Sequence, residues 1–213
     1  MSEHRVVTSL RDGTVVQALA ECEVIVIPDA DGYALAVRRE CPAAWPAFWA
    51  LTARHCGGQV DTVAVGESAQ AAALCEKWDG PIMQLTDRVW PGPLTVITAS
   101  SEGSPVRITM PKDRALRGLC RSSGPLVLCG LRNVRGQPVT DVAEVRGQIG
   151  ADAISLVVDG GTWHGGLAPT VVDCTHTPPV ITEVGALPSS YIEAALLMAA
   201  RRKRGWGSRA FGV

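Results

Sequence analysis

Two segments of the chain combine rigid backbone, glycine and polar side chains in a way that could hold a ligand. The first is DRVWPGPLTVIT (87–98). Proline, glycine and proline in succession fix a bend there and then release a β-branched strand. The second is VVDGGTWHGGLAPTVVDCT (157–175), in which a strand ends at Gly160-Gly161, a glycine-rich loop follows, and Thr170 opens the next strand. Glycines so placed let backbone N–H groups approach a ligand closely, and they serve equally as plain turns. His164, beside Trp163 in that loop, has the side chain for acid–base work and also the setting of an exposed loop histidine. His55 and Cys56 suggest a thiolate–imidazole pair, but adjacent residues on a helix do not face each other. Arg201, Arg202, Lys203 and Arg204, with Trp206 and Arg209 beyond, suit RNA phosphates; four basic residues ending a helix also complement its dipole.

The elements that must position these residues alternate along the whole chain. Apolar spacing predicts helices over 14–22, 45–55, 67–78, 113–121, 139–150 and 190–204, with Pro46 tolerated in a first turn and a Thr/Asp cap followed by Glu144 opening 139–150. Trp45, Phe48 and Trp49 are expected to pack the second of these on the core. Strands are predicted over 23–28, 33–39, 61–66, 93–99, 105–111, 125–129, 153–161, 170–175 and 179–185, the fourth and fifth forming a hairpin around the Ser-Glu-Gly-Ser turn. The strands are apolar on both faces, which predicts a mixed sheet covered by helices. The fold class expected is therefore α/β (α+β), a single open, twisted, mixed sheet flanked by helices, in one domain over 1–213.

Bulk composition sets limits on function. The 213 residues are 46% hydrophobic and 19% charged, the profile of a globular protein with a large buried sheet. A formal net charge of −1 gives no overall basic excess that would argue for nucleic acid. Seven cysteines, an odd number with no CxxC, do not read as a disulfide framework or a structural zinc site, and no metal ligand set is expected. Cys129 and Cys174 sit in apolar runs as small hydrophobes, and a reducing cytoplasm is expected. Residues 1–13 have no apolar signal-peptide core, and no run of about 18 apolar residues predicts a membrane span.

In their order and spacing, WPGPLT (90–95) and TVVD (170–173) resemble the YrdC/YciO-like family of threonylcarbamoyl-AMP synthase-type domains. The resemblance covers roughly 14–187, leaving 188–213 as terminal helix and basic tail. The IPDADGYAL stretch (27–35) is nearer to the YciO-type branch. The resemblance implies a YrdC-like (DHBP synthase-like) fold with a concave cleft on one face of the sheet. It further implies binding of L-threonine, bicarbonate and ATP with Mg2+, and formation of threonylcarbamoyl-AMP for modification of tRNA adenosine 37. Such chemistry needs positioned donors and cations, not a protein nucleophile. The resemblance carries ligand-binding roles onto Pro28, Tyr33, Arg54, Asn133 and Thr170. Tyr33 fits two readings, a cavity wall and a core strand aromatic.

The chain departs from the family's pattern at most polar positions. Asp29-Ala30-Asp31 stands for Thr-Asp-Thr, and Thr52-Ala53-Arg54 for Lys-x-Arg. Thr109 stands for a strand arginine, with Arg107 two residues earlier on the same face. Leu131-Arg132-Asn133-Val134-Arg135-Gly136 stands for Ser-Ala-Asn-x-Ser-Gly, and Glu183 for a late arginine. Arg107, Thr109, Arg132 and Arg135 are therefore candidates for a relocated anion site. The cleft is expected to be lined by 28–33, Arg107, Thr109, Asn133 and 168–171. Two functions follow: a synthase of the family type, or a catalytically lapsed paralogue acting as an anion-, nucleotide- or RNA-binding module.

Overall fold

The structure, a computed structural model, describes residues 4–58, 61–151, 153–154 and 156–206, the last nine of these as backbone only. The basic tail expected to meet RNA therefore lies outside the described side chains.

Among the described residues, ten strands and seven α-helices interleave. In chain order they are β1 (Arg5–Val7), α1 (Gly13–Ala20), β2 (Ile25–Asp29), β3 (Gly32–Arg38), a 3₁₀ turn (Pro42–Ala44), α2 (Trp45–His55), β4 (Thr62–Ala64), α3 (Ser68–Leu74), α4 (Gly80–Val89), β5 (Leu94–Thr98), β6 (Val106–Thr109), α5 (Arg114–Ser123), β7 (Leu126–Gly130), α6 (Val142–Gln148), β8 (Leu156–Val158), β9 (Thr170–Asp173), β10 (Val180–Glu183) and α7 (Ser189–Trp206). All ten strands join one open sheet, in the order β1-β8-β2-β3-β7-β4-β6-β5-β9-β10. Pairings β1–β8, β2–β8, β4–β6 and β5–β9 are parallel and the rest antiparallel, so the sheet is mixed.

The period-2 alternation of each strand splits the core in two. On one face Val26, Leu35, Val63, Val96, Val127 and Val172 meet Phe48 of α2, Leu85 of α4 and Ile192 of α7. On the other, Ile25, Ile27, Ala34, Ala36, Leu128 and Val158 meet Val15 and Leu19 of α1 and Leu116 and Leu119 of α5. The small Ala34 and Ala36 let these two helices approach. Their footprint does not reach the strands nearer β9, and that uncovered surface is the floor of a cleft. Aspartates start the helices: Asp12 accepts from the Thr14 N–H (2.9 Å), Asp113 from Leu116 (2.7 Å) and Asp141 from Glu144 (2.8 Å), each satisfying an otherwise orphaned donor.

The structure adds β1 and α4 to the elements expected. β1 has three residues and too little sequence for a pattern. α4 carries its signal openly, with Ile82, Leu85, Thr86 and Val89 at helical spacing behind Pro81 in the first turn. Trp49 departs from its expected core role. It is 47% exposed and stacks on Trp45 at 5.6 Å, while Phe48 alone of the three is fully buried. The cysteines need a correction too: Cys22 and Cys41 form a disulfide, with Cα atoms 5.4 Å apart. They stand 19 positions apart with β2 and β3 between them, and the β2–β3 hairpin brings the two ends together. The other described cysteines are thiols; Cys129 is buried as expected, Cys174 is only half-buried, and Cys56, Cys75 and Cys120 are buried as well. Among the described residues no helix is long and apolar enough to cross a membrane.

Candidate ligand-binding cleft

The uncovered half of the sheet forms the floor of a cavity of about 700 Å³. Thr62 of β4, Leu128 and Gly130 of β7, Thr95 of β5, Thr109 of β6 and Val171 of β9 make the floor. The end of β2 and its turn, from Pro28 to Asp31, form one wall; Lys112 and Asp113 before α5 form another. Gly160 stands against Pro28 so closely that a Cβ there would lie 2.7 Å from the proline ring, which explains a glycine at this rim.

Two ion pairs dominate the polar lining. Arg132 Nη2 lies 2.8 Å from Asp31 Oδ2, with side chains only 12% and 21% exposed. Arg107 Nη1 lies 2.9 Å from Glu183 Oε1, with side chains 18% and 55% exposed. Arg132 Nη1 and Arg107 Nε are buried and make no hydrogen bond. Both arginines at the cleft are thus held by carboxylates of the chain itself. Asp29 beside them is different. Burial pushes its carboxyl up to about 6, the Ala30 N–H opposing and the nearby Asp31 charge adding to the rise.

The glycine loop is fixed by Tyr33. Its hydroxyl donates to the Gly161 carbonyl (2.8 Å) and accepts from the Gly160 N–H (3.0 Å), with Asp159 Oδ1 3.4 Å away. Asp159 in turn accepts from the Gly161 N–H at 2.8 Å. Tyr33 is 2% exposed and packs in the larger core cluster, so it shapes the rim from behind and does not line the cavity. Thr170 is equally enclosed. Its hydroxyl donates to the Leu187 carbonyl (2.7 Å) and accepts from the N–H groups of Gly185 (2.9 Å) and Leu187 (3.0 Å). The side chain ties β9 to the segment before α7, while Pro169 and Val171 on either side line the cavity.

The residues singled out from sequence thus divide. Pro28, Arg107 and Thr109 line the cavity, Thr109 donating to the Leu94 carbonyl at 3.2 Å. Arg132 reaches it through Asp31. Asn133 closes its own loop, its Oδ1 accepting from Arg135 (3.0 Å) and Gln137 (3.1 Å) N–H groups. Arg54 and Arg135 are exposed and away from the cavity lining, as is His164. Cys56 turns from His55 into the core, its thiol donating to the Cys129 carbonyl at 3.5 Å; a side-chain contact with the Cys129 thiol, together with burial, pushes its pKa up. Lys112, Asp159 and Glu183 line the cavity and were not singled out as site residues. For Asp159 the signal was available, a carboxylate between a buried strand and a double glycine.

The Sua5/YciO/YrdC model, described as "Telomere recombination", matches residues 17–185. The chain belongs to the Sua5/YciO/YrdC family. Within it, the chain is 31% identical over 121 residues to threonylcarbamoyl-AMP synthase of Pyrococcus abyssi, covering 53% of this chain and 36% of that protein. It is 27% identical over 203 residues to threonylcarbamoyl-AMP synthase of Bacillus subtilis, covering 88% of this chain and 58% of the relative. The chain thus spans less than two thirds of the length of either. Its fold is that of P. abyssi Sua5, solved in complex with L-threonine (TM-score 0.76, 20% identity, 90% of this chain and 61% of that one). It is also that of Escherichia coli YciO (TM-score 0.72, 20% identity, 88% and 98%).

Proposed function

We propose that this Sua5/YciO/YrdC domain binds a small polar molecule in the cleft on its sheet, and that it makes threonylcarbamoyl-AMP from L-threonine, bicarbonate and ATP slowly or not at all. One observation carries this reading: Arg107 and Arg132, the arginines placed to replace the family's missing cations, are already neutralised by Glu183 and Asp31. A triphosphate needs several cations or charge-assisted donors around it. Here the cavity lining has Arg107 and Lys112 against Asp29, Asp31, Asp113, Asp159 and Glu183. Magnesium accompanying ATP offsets part of the nucleotide charge, but the paired arginines would still have to break their contacts to reach it.

The synthase reading retains support in the shape of the site. The two segments that carry the family resemblance, 90–95 and 170–173, bracket the cavity through Gly92, Pro93, Thr95 and Val171. Pyrophosphate release from L-threonine, bicarbonate and Mg-ATP is the direct test. Release near the rates of ordinary enzymes, about 1 per second or faster, would establish the synthase and reject the lapsed reading.

A further inference from the structure

The charge balance of the cleft bears on what the ligand is. The two guanidinium groups there go to Asp31 and Glu183, not to Asp29. Asp113 is occupied as the cap of α5, and Asp159 by the Gly161 N–H. Asp29 remains as a partly buried carboxylate that lines the cavity and, among the described residues, has the neighbouring Ala30 N–H as its one stabilising partner. A carboxylate stripped of water in this way gains most from a cationic partner. Leu10, Leu116, Leu128, Val158 and Val171 give the same space an apolar wall, beside its threonines and the ammonium group of Lys112. Such walls suit a methylene chain whose charged end seeks a polar group.

We infer that the ligand of this cleft is an aliphatic amine, of the diamine or polyamine class, whose ammonium group docks on Asp29 while its methylenes lie along the apolar walls. This rests on the reading above, that the domain is a ligand-binding member of its family. A metal ion suits the site less well, because among the described residues no three His, Cys, Asp or Glu side chains gather to hold one. A cavity of about 700 Å³ has room for such an amine.

Calorimetric titration of the purified chain in physiological salt, with spermidine, L-threonine and Mg-ATP as separate probes, tests this. Spermidine is expected to bind and Mg-ATP to give no measurable heat. Asp29→Asn should weaken spermidine by about 10- to 100-fold, the worth of one charge-assisted contact. A thermal melt of the same variant shows whether it is folded, and Asp29→Ala with its own melt serves as the second variant. Absence of spermidine binding at millimolar concentration overturns the inference. So does binding that neither Asp29 variant changes, or Mg-ATP binding tighter than spermidine. Pyrophosphate release, measured separately, reports on the reading beneath: an active synthase removes that foundation, whereas an inactive domain indifferent to amines removes only the amine.

Discussion

Arg132 and Asp31 are 101 positions apart in sequence, yet their side chains meet at 2.8 Å beside Gly130, whose missing Cβ would lie 3.8 Å from both groups. Each stands where the family's pattern has a small neutral or hydroxyl residue. The two departures read from the sequence are therefore joined in one contact.

Removing both members should cost less than the two single losses added together. Asp31→Thr or Arg132→Ala alone leaves a largely buried charge without its partner and should cost about 1–3 kcal/mol of stability. The double variant should cost less than the sum by about 1–2 kcal/mol. Urea denaturation of all four proteins measures the coupling, and strict additivity would mean the contact contributes nothing.

The second pair predicts a gain of function. Glu183 is 55% exposed, so Glu183→Gln should change stability by no more than about 0.5 kcal/mol. It releases Arg107 into the cleft, and affinity for inorganic pyrophosphate should rise about tenfold, falling again with added salt. Unchanged pyrophosphate binding would show that Arg107 is held away from the cavity by more than Glu183.

Asp29 gives a pH signature. Its folded value, about 6, is above its ordinary 3.8, so between these two pH values the folded chain holds the proton that the unfolded chain has lost. Stability contributed at this site therefore falls as pH rises through that window, and the full penalty is present above it. Asp29→Asn should match the wild type below the window and exceed it by about 2–3 kcal/mol near neutrality. Parallel stability curves for the two proteins from pH 3.5 to 7.5 would remove the raised carboxyl from the account.

Thr170→Val separates two roles for one hydroxyl. A structural staple predicts a loss of about 2–4 kcal/mol, because two N–H groups and a carbonyl near 185–187 are left unsatisfied, with little change in ligand affinity. The ligand-binding role expected from the sequence predicts the reverse, weaker binding at unchanged melting temperature.

Much of the fold was legible because the sheet is written in short-range alternation. Val26, Leu35 and Val63 are distinguishable from Ile25, Ala36 and Ala64 by parity alone, and the 93–111 hairpin by its turn. The site was only partly legible, for a physical reason. Residue type tells what a side chain can bond, but not which partner arrives first. Arg107 and Arg132 read as ligand cations until Glu183 and Asp31 are seen beside them. Thr170 and Tyr33 matched the pattern by position, while their hydroxyls are spent on backbone groups brought in from 185–187 and 160–161. Asp29 appeared in sequence as one of two new carboxylates; only the closing of β2 against its neighbours separates it from Asp31.

The place of β8 in the sheet has a consequence for biosynthesis. This strand, at Leu156–Val158, lies between β1 and β2, and among the described residues β1 has no other strand neighbour. As the chain leaves the ribosome, the first strand must wait for most of the domain to be made before its hydrogen-bonding edge is covered. The β2–β3 hairpin can close early, but its outer edge stays open over the same interval. Pairings this distant in sequence slow folding and leave strand edges exposed to other chains, so the nascent domain carries open edges until residues 156–158 have emerged for β1 and β2, and 170–173 for β5.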